Sequence, residues 1–93
     1  MKKFVIERIL PGASNLTKEE LRQISQLFCD AIDKLEESYS WVQSFITDDK
    51  IYGIHIAETK EAIREHSKLA RFPINTINEV KTTIDPTTNN DSI

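Results

Sequence analysis

The segment that most constrains the fold of this chain is residues 40–58, SWVQSFITDDKIYGIHIAE. It contains two runs of mixed apolar and polar residues, 41–47 and 51–57, joined by the short polar sequence Asp48-Asp49-Lys50. Two such runs joined by a short polar turn are typical of an antiparallel hairpin. An amphipathic helical pattern lies on each side of it, so we expect the hairpin to form the centre of the fold.

The two flanking patterns predict two helices. Residues 17–20, TKEE, match a capping box, and the first helix is expected over residues 18–38. Its apolar residues recur at helical spacing: Leu21, Ile24, Phe28, Ile32 and Leu35. Thr59 can cap a second helix, which ends before Phe72-Pro73 because proline disfavours helical geometry in the preceding residue. The apolar face of this second helix carries Ala62, Ile63, His66, Leu69 and Ala70.

Strands are predicted at both ends of the chain, over residues 3–10 and 76–84. The order is then βαββαβ, which is the ferredoxin-like arrangement. Right-handed crossovers place both helices on one face of a four-stranded antiparallel sheet. We therefore expect one α+β domain over residues 1–85, followed by a polar tail over residues 86–93.

Composition excludes several classes of protein. A net charge of −3 and a pI near 5.3 argue against a nucleic-acid partner, which usually meets a basic surface. No stretch approaches the ~20 apolar residues of a membrane span. A signal peptide is not expected, because the apolar residues 4–6 meet charged Glu7-Arg8 at once. The single cysteine, Cys29, cannot form an internal disulfide, which fits a reducing cytoplasm.

Alternation along the hairpin assigns its side chains to the two faces of the sheet. Residues 52, 54 and 56 share one face, and residues 51, 53, 55 and 57 share the other. We assign the aliphatic sets to the helices, so that the open face carries Trp41, Phe45 and His55. An exposed apolar patch of this kind indicates an interaction surface. Because a 93-residue chain also has a thin core, we expect a homodimer that packs sheet to sheet.

His66 is the first candidate for chemistry, because it interrupts the apolar face of the second helix. Imidazole binds nickel, zinc, copper and iron, and it titrates near neutral pH. The alternative is a packed core histidine whose ring nitrogens bond to backbone or water.

His55 is the second candidate, on the expected dimer face, where a two-fold axis would bring two copies together. The alternative is a partly exposed strand histidine. With this face assignment, His55 and His66 lie on opposite sides of the sheet, and they would share a metal only through the partner chain. Cys29 is expected to be a small buried hydrophobe.

Seven ordered segments carry a family resemblance: Glu7-Arg8 with Pro11-Gly12-Ala13; Trp41-Val42 with Ser44; residues 47–52, TDDKIY; Ile56-Ala57; Arg64-Glu65-His66; Phe72-Pro73 with Asn75; and residues 84–88, IDPTT. Together they resemble a family of small bacterial ferredoxin-like proteins of unknown function, commonly labelled nickel-binding or nickel-responsive. The resemblance extends over nearly the whole chain.

This resemblance implies a dimeric α+β barrel-type fold and a site for a divalent transition metal. His66 matches the family pattern as the main ligand, and Glu7 and Tyr52 match residues that could line the same cleft. The chain departs from the pattern at Gly53, where cysteine is frequent, and at His55, where tyrosine is frequent. The imidazole of His55 could therefore replace a lost soft ligand.

Two classes of function follow from these features. The first is a cytoplasmic dimer that buffers or senses a divalent metal, with nickel favoured, through His66, Glu7, Tyr52 and His55. Metal affinity is then expected to fall as imidazole protonates below about pH 6.5. The second is a cofactor-independent or haem-related oxygenase-type enzyme with a cleft between sheet and helices. A non-catalytic interaction module is a third reading.

Overall fold

The chain forms four strands and two main helices in the predicted order. The structure, a computed structural model, describes residues 1–90. The elements are β1 (Lys2–Ile9), α1 (Lys18–Lys34), β2 (Tyr39–Ile46), β3 (Lys50–Ala57), α2 (Lys60–Ala70) and β4 (Thr76–Glu79). The sheet order is β2-β3-β1-β4, and all neighbouring strands are antiparallel. The ferredoxin-like α+β fold predicted from the sequence is therefore confirmed.

The first helix begins where the sequence predicts and ends earlier. Thr17 Oγ1 accepts a hydrogen bond from the Glu20 amide at 3.1 Å, and Glu20 Oε1 accepts one from the Thr17 amide at 3.0 Å. The helix ends at Lys34, whereas the apolar spacing predicted an end at residue 38. The negative end of the helix dipole disfavours Glu36 and Glu37 in a last turn, so the shorter helix leaves Lys34 there instead.

The end of α2 directs the chain back towards the sheet. Arg71 adopts the left-handed conformation with φ of 55°, and the Phe72 amide donates to the Ser67 carbonyl at 3.0 Å. This turn packs Phe72 against the core, whereas Pro73 is exposed. The final strand is shorter than predicted, because pairing with β1 ends at the bond from the Val80 amide to the Lys3 carbonyl.

A β-bulge in the hairpin reverses the faces of β2. Trp41 lies opposite His55, but Gln43 lies opposite Ile54, so Val42 is an extra residue on the β2 side. A bulge shifts the alternation of every residue beyond it. Trp41 therefore points towards the helices, whereas Phe45, four residues later, is half exposed on the open face.

The predicted face assignment is wrong for Trp41 and His55 and correct for Phe45. In β3 the buried residues are Ile51, Gly53, His55 and Ala57, whereas Tyr52, Ile54 and Ile56 are only half-buried. The helix-facing side of β3 therefore carries one isoleucine, Ile51, whereas the open side carries Ile54 and Ile56. Aliphatic character alone therefore identified the wrong face.

The core lies between the sheet and the two helices. One apolar cluster comprises Phe4, Ile6, Tyr39, Ala57, Ala62 and Ile63. A second comprises Phe28, Ala31 and Ala70, with Trp41 and Phe72 packed against it. Four polar residues are buried as well: Arg8, His55, His66 and Ser67.

No helix within residues 1–90 is both long and apolar enough to cross a membrane. The division between a domain of residues 1–85 and a tail of residues 86–93 stays a prediction. The described part of that tail contains a short 3-10 turn, Thr88–Asn90, and residues 91–93 lie outside the described residues.

The left-handed Arg71 gives a prediction about stability. Glycine adopts this conformation without strain, whereas a β-branched side chain there costs about 1–2 kcal/mol. We expect Arg71→Gly to be more stable than Arg71→Val by about that amount in urea unfolding. Equal stability of the two variants would show that the turn after α2 does not need this conformation.

Candidate functional site

The candidate site is a buried basic cluster formed by Arg8, Tyr39, His55 and His66. These residues come from β1, β2, β3 and α2, and all four side chains lie between the sheet and the helices. Arg8 and both histidines have 0% of their surface exposed. The Phe28 ring lies at the centre, with ring-centre distances of 6.5 Å to His55 and 5.4 Å to His66.

Arg8 places a positive charge inside the core. Its Nη1 donates to Ser67 Oγ at 2.9 Å and to the Pro73 carbonyl at 2.8 Å. The guanidinium carbon lies 4.8 Å from the Phe28 ring centre and 5.5 Å from that of Phe72. Burial lowers the pKa of Arg8 to about 10, so the group remains charged at neutral pH. No carboxylate within residues 1–90 forms an ion pair with it.

Four buried nitrogen atoms in this cluster have no hydrogen-bond partner in the described part of the chain. They are Arg8 Nε, Arg8 Nη2, His55 Nε2 and His66 Nδ1. Each unsatisfied buried polar atom costs about 1–3 kcal/mol. Native proteins contain few such atoms, and those that persist call for a ligand, a water molecule or a functional reason. Their concentration in one cluster marks it as the candidate site.

The hydrogen bonding of His66 fixes its tautomer. His66 Nε2 lies 3.0 Å from the Phe28 carbonyl oxygen, which can only accept, so Nε2 carries the proton. In the neutral ring, Nδ1 then has a free lone pair. The Tyr39 ring stacks on the imidazole with a centre distance of 4.7 Å and a tilt of 11°, which holds the ring in place.

The position of the His55 ring depends on the absence of a side chain at Gly53. Its Nδ1 lies 2.7 Å from the Tyr39 hydroxyl, and the two share a hydrogen bond. A Cβ on Gly53 would lie 3.0 Å from His55 Nε2 and 3.2 Å from Ser44 Oγ, closer than side chains normally approach. Gly53 therefore leaves the space that the His55 ring occupies. Residues 53 and 55 therefore form one structural unit.

Both imidazoles are held in the neutral form. Burial lowers the pKa of His55 to about 3, and the charge of Arg8, together with that of His66 whenever it is protonated, acts in the same direction. Burial also lowers the pKa of His66, although its hydrogen bond to the Phe28 carbonyl opposes that shift. Burial raises the pKa of Tyr39, so its hydroxyl stays protonated.

The structure divides the four predicted metal ligands into two pairs. His55 and His66 lie together in the core with ring centres 5.4 Å apart, so the prediction that they occupy opposite sides of the sheet is wrong. Glu7 and Tyr52 are cross-strand neighbours on the open face, where Glu7 Oε2 lies 3.5 Å from Lys50 Nζ. The sheet separates the two pairs because β1 and β3 alternate.

Two further expectations are corrected or extended. Cys29 is exposed rather than buried, because its position on α1 lies outside the apolar stripe. No group of three or more His, Cys, Asp or Glu side chains suited to a metal occurs within residues 1–90.

Sequence reasoning missed Arg8 as a site residue, although it lies on the same face of β1 as the buried residues Phe4 and Ile6. The signal in the sequence was a charged residue at a strand position that alternation places on the buried face.

A small pocket lies on the other side of the Phe28 ring. Its volume is about 170 Å³, and it is lined by Leu21, Ile24, Ser25, Phe28, Trp41, Ser44, Ile46 and Ile51. Trp41 Nε1 donates to Ser44 Oγ at 3.0 Å, and the Trp41 and Phe28 ring centres are 5.1 Å apart. Phe28 therefore forms the wall between this pocket and the buried basic cluster.

The fold and the cluster define a small ferredoxin-like α+β protein with a basic, partly unsatisfied core site. Residues 4–80 match the family described as nickel responsive protein SCO4226-like, and the chain belongs to that family. The crystal structure of SCO4226 from Streptomyces coelicolor A3(2) is similar, with a TM-score of 0.75 and 19% identity over 88% of this chain and 99% of that chain. That likeness shows a shared fold. No curated protein matches the chain.

The neutral histidines give a prediction about pH. Unfolded histidine has a pKa near 6.5, whereas folded His55 has one of about 3, so between these values the unfolded chain binds more protons. Stability should then fall as pH drops below 6.5, by up to about 1.4 kcal/mol per pH unit from His55. Urea unfolding at pH 7.5, 6.0 and 5.0 measures this slope.

The matched variant is His55→Gln, which keeps a polar partner for Tyr39. Carboxylates with a lowered pKa, such as Glu79 and Asp85, also weaken folding in acid, so only the difference between the two proteins isolates the imidazole. We expect a shallower slope in the variant. The same slope in both proteins would contradict a neutral, buried His55.

Proposed function

We propose that this protein responds to nickel or another divalent transition metal by binding it directly, for buffering or sensing, with His66 as the main ligand and His55 as the second. The observation that carries the proposal is the hydrogen bond from His66 Nε2 to the Phe28 carbonyl, which leaves Nδ1 unpartnered. Histidines that bind metals usually donate their other ring N–H to such a carbonyl or carboxylate. The family description, which names nickel responsiveness, supports the choice of metal.

The donor set fits a metal in part. Both imidazoles are neutral, as ligation requires, and nitrogen donors suit nickel. Two nitrogens do not complete a coordination shell, so small external ligands or water would supply the rest. The charge of Arg8 opposes a bare dication in the same core, which favours a metal that enters with an anionic ligand.

The proposed location is the cytoplasm. Cys29 is the one cysteine of the chain and is free, which suits a reducing compartment. The exposed thiol lies outside the proposed metal site.

Calorimetric titration of metal-stripped protein with Ni²⁺ tests the ligand assignment. His66→Phe keeps a ring against Tyr39 but removes both nitrogens, and we expect it to weaken binding at least about tenfold. Because burial lowers the pKa of both imidazoles, affinity should begin to fall at a lower pH than it would with free imidazole ligands. This replaces the expectation, drawn from free imidazole, that affinity falls below about pH 6.5.

The matched control removes the other predicted pair. Glu7→Gln combined with Tyr52→Phe changes only the open face of the sheet and should leave nickel affinity unchanged. Loss of binding in this control, with His66→Phe unaffected, would move the metal to the open face. An absence of binding in the unmodified protein would reject direct nickel binding altogether.

We also propose that the protein acts as a homodimer through its open sheet face, with a corrected set of contact residues. Val5, Ile9 and Phe45 are 38%, 46% and 50% exposed on that face, and Tyr52, Ile54 and Ile56 are half-buried there. Val5 pairs with Ile54 and Phe45 pairs with Tyr52 across the strands, so these apolar groups form one surface, whereas Ile9 lies beside Lys50 at its end. A two-fold axis through this surface would pair it with itself.

Light scattering at micromolar protein tests the dimer. We expect a mass about twice the 10.7 kDa of the chain. Phe45→Lys should yield the monomer mass, because it buries a charge in the interface. Leu27→Lys is the matched control, since Leu27 is 44% exposed on α1, away from the sheet. A monomeric unmodified protein would reject the dimer.

The pocket beside Phe28 bears on the alternative of an oxygenase-type enzyme. A volume of about 170 Å³ is below the ~300–1,000 Å³ of pockets that hold drug-sized ligands, so haem does not fit it. A cofactor-independent enzyme acting on a small substrate is the form of the alternative that the pocket supports.

A further inference from the structure

We propose that the core of this protein binds a small organic monocarboxylate, held by the free Nε–Nη2 edge of Arg8. This site lies beside the proposed metal ligands, shares His55 with them and requires no metal. The ligand would consist of one carboxylate group, which accepts the hydrogen bonds, and a compact apolar part. Acetate, propionate and benzoate have this size.

The first step is the charge of Arg8. A buried cation is tolerated when an opposite charge or a full set of hydrogen bonds compensates for its lost hydration. Ser67 and Pro73 satisfy Nη1, but Nε and Nη2 have no partner within residues 1–90. A carboxylate would supply the missing charge and the missing acceptors together.

The second step is the shape of the free edge. In a guanidinium group, Nε–H and one N–H of Nη2 point in the same direction and form a fork that matches the two oxygens of a carboxylate. The bonds from Nη1 to Ser67 and Pro73 hold the opposite side of the group in place. The fork is therefore preorganised before a ligand arrives.

The third step is the class of anion. Phe28 and Phe72 cover the guanidinium group, which leaves apolar surroundings on its faces. A phosphate or sulfate would bring further charged oxygens that this environment cannot satisfy. Rotation of the Tyr39 hydroxyl so that it donates to His55 Nδ1 would give His55 Nε2 an N–H, which is one further donor. This set suits one carboxylate and no larger charge.

The fourth step is the route of entry. The free edge is buried, so a side chain packed around the cluster must move to admit a ligand. Phe28 separates the cluster from the pocket of about 170 Å³, and its ring contacts both Trp41 in the pocket wall and Arg8 in the cluster. The apolar body of the ligand would lie in this pocket once Phe28 changes rotamer.

The test is thermal unfolding of the full chain in EDTA, with sodium acetate, propionate or benzoate compared against sodium chloride at equal ionic strength. We expect a saturable rise in Tm of about 5 °C or more at tenfold excess over Kd for at least one carboxylate. Arg8→Met should abolish the rise, and it should fold because an apolar side chain often replaces a buried charge without loss of stability. Arg64→Met, at an exposed arginine on α2, should keep the rise.

A second measurement does not depend on the variant folding. The Nε–H signal of Arg8 in the ¹⁵N-labelled unmodified protein should shift saturably with carboxylate and remain unchanged with chloride. Equal Tm shifts with carboxylate and chloride, an undiminished shift in Arg8→Met, or a static Nε–H signal would each overturn the proposal, and the free edge would then be hydrated by internal water. Because EDTA is present throughout, the outcome is independent of nickel binding.

Discussion

The burial of the Arg8 guanidinium group is the constraint on which the rest of the structure depends. One side chain joins β1 to α2 through Ser67, to the turn after α2 through Pro73, and to α1 through the face of Phe28. A charge in this position requires polar neighbours. Burial in the same core lowers the pKa of both nearby histidines, and the charge of Arg8 adds to that effect.

The overall fold was within reach of sequence reasoning because it depends on local signals. The capping box at Thr17, the cap at Thr59 and the polar turn between β2 and β3 each stand in a few consecutive residues. The assignment of sheet faces was not within reach, because one extra residue, Val42, reverses the alternation of β2. A bulge leaves no mark in the hydrophobic pattern, since the residues on both sides still alternate.

The candidate site was predicted only in part, for a related reason. His66 was identified from its place on an apolar helical face, and its burial follows from that pattern. The partnership of His55 with His66 depends on three-dimensional features: the register of β3, the space left by Gly53, and the Tyr39 hydroxyl at 2.7 Å. Glu7 and Tyr52 were grouped with the histidines by family resemblance, which records sequence positions but not the faces of the sheet.

The Tyr39–His55 hydrogen bond connects the two proposed ligands. When the Tyr39 hydroxyl accepts a hydrogen bond from His55 Nδ1–H, His55 Nε2 has a lone pair for a metal. When the hydroxyl donates to Nδ1 instead, Nε2 carries the proton and becomes a donor for an anion. A metal and a carboxylate would therefore compete for His55, but their opposite charges would attract each other across the cluster. If His66 alone holds the metal, only the attraction acts, and the carboxylate should raise nickel affinity. If the metal also requires His55, the two ligands need different tautomers of that residue, and the carboxylate should lower nickel affinity. Measuring nickel affinity with and without a saturating carboxylate that does not itself chelate nickel appreciably would thus report which histidine carries the metal.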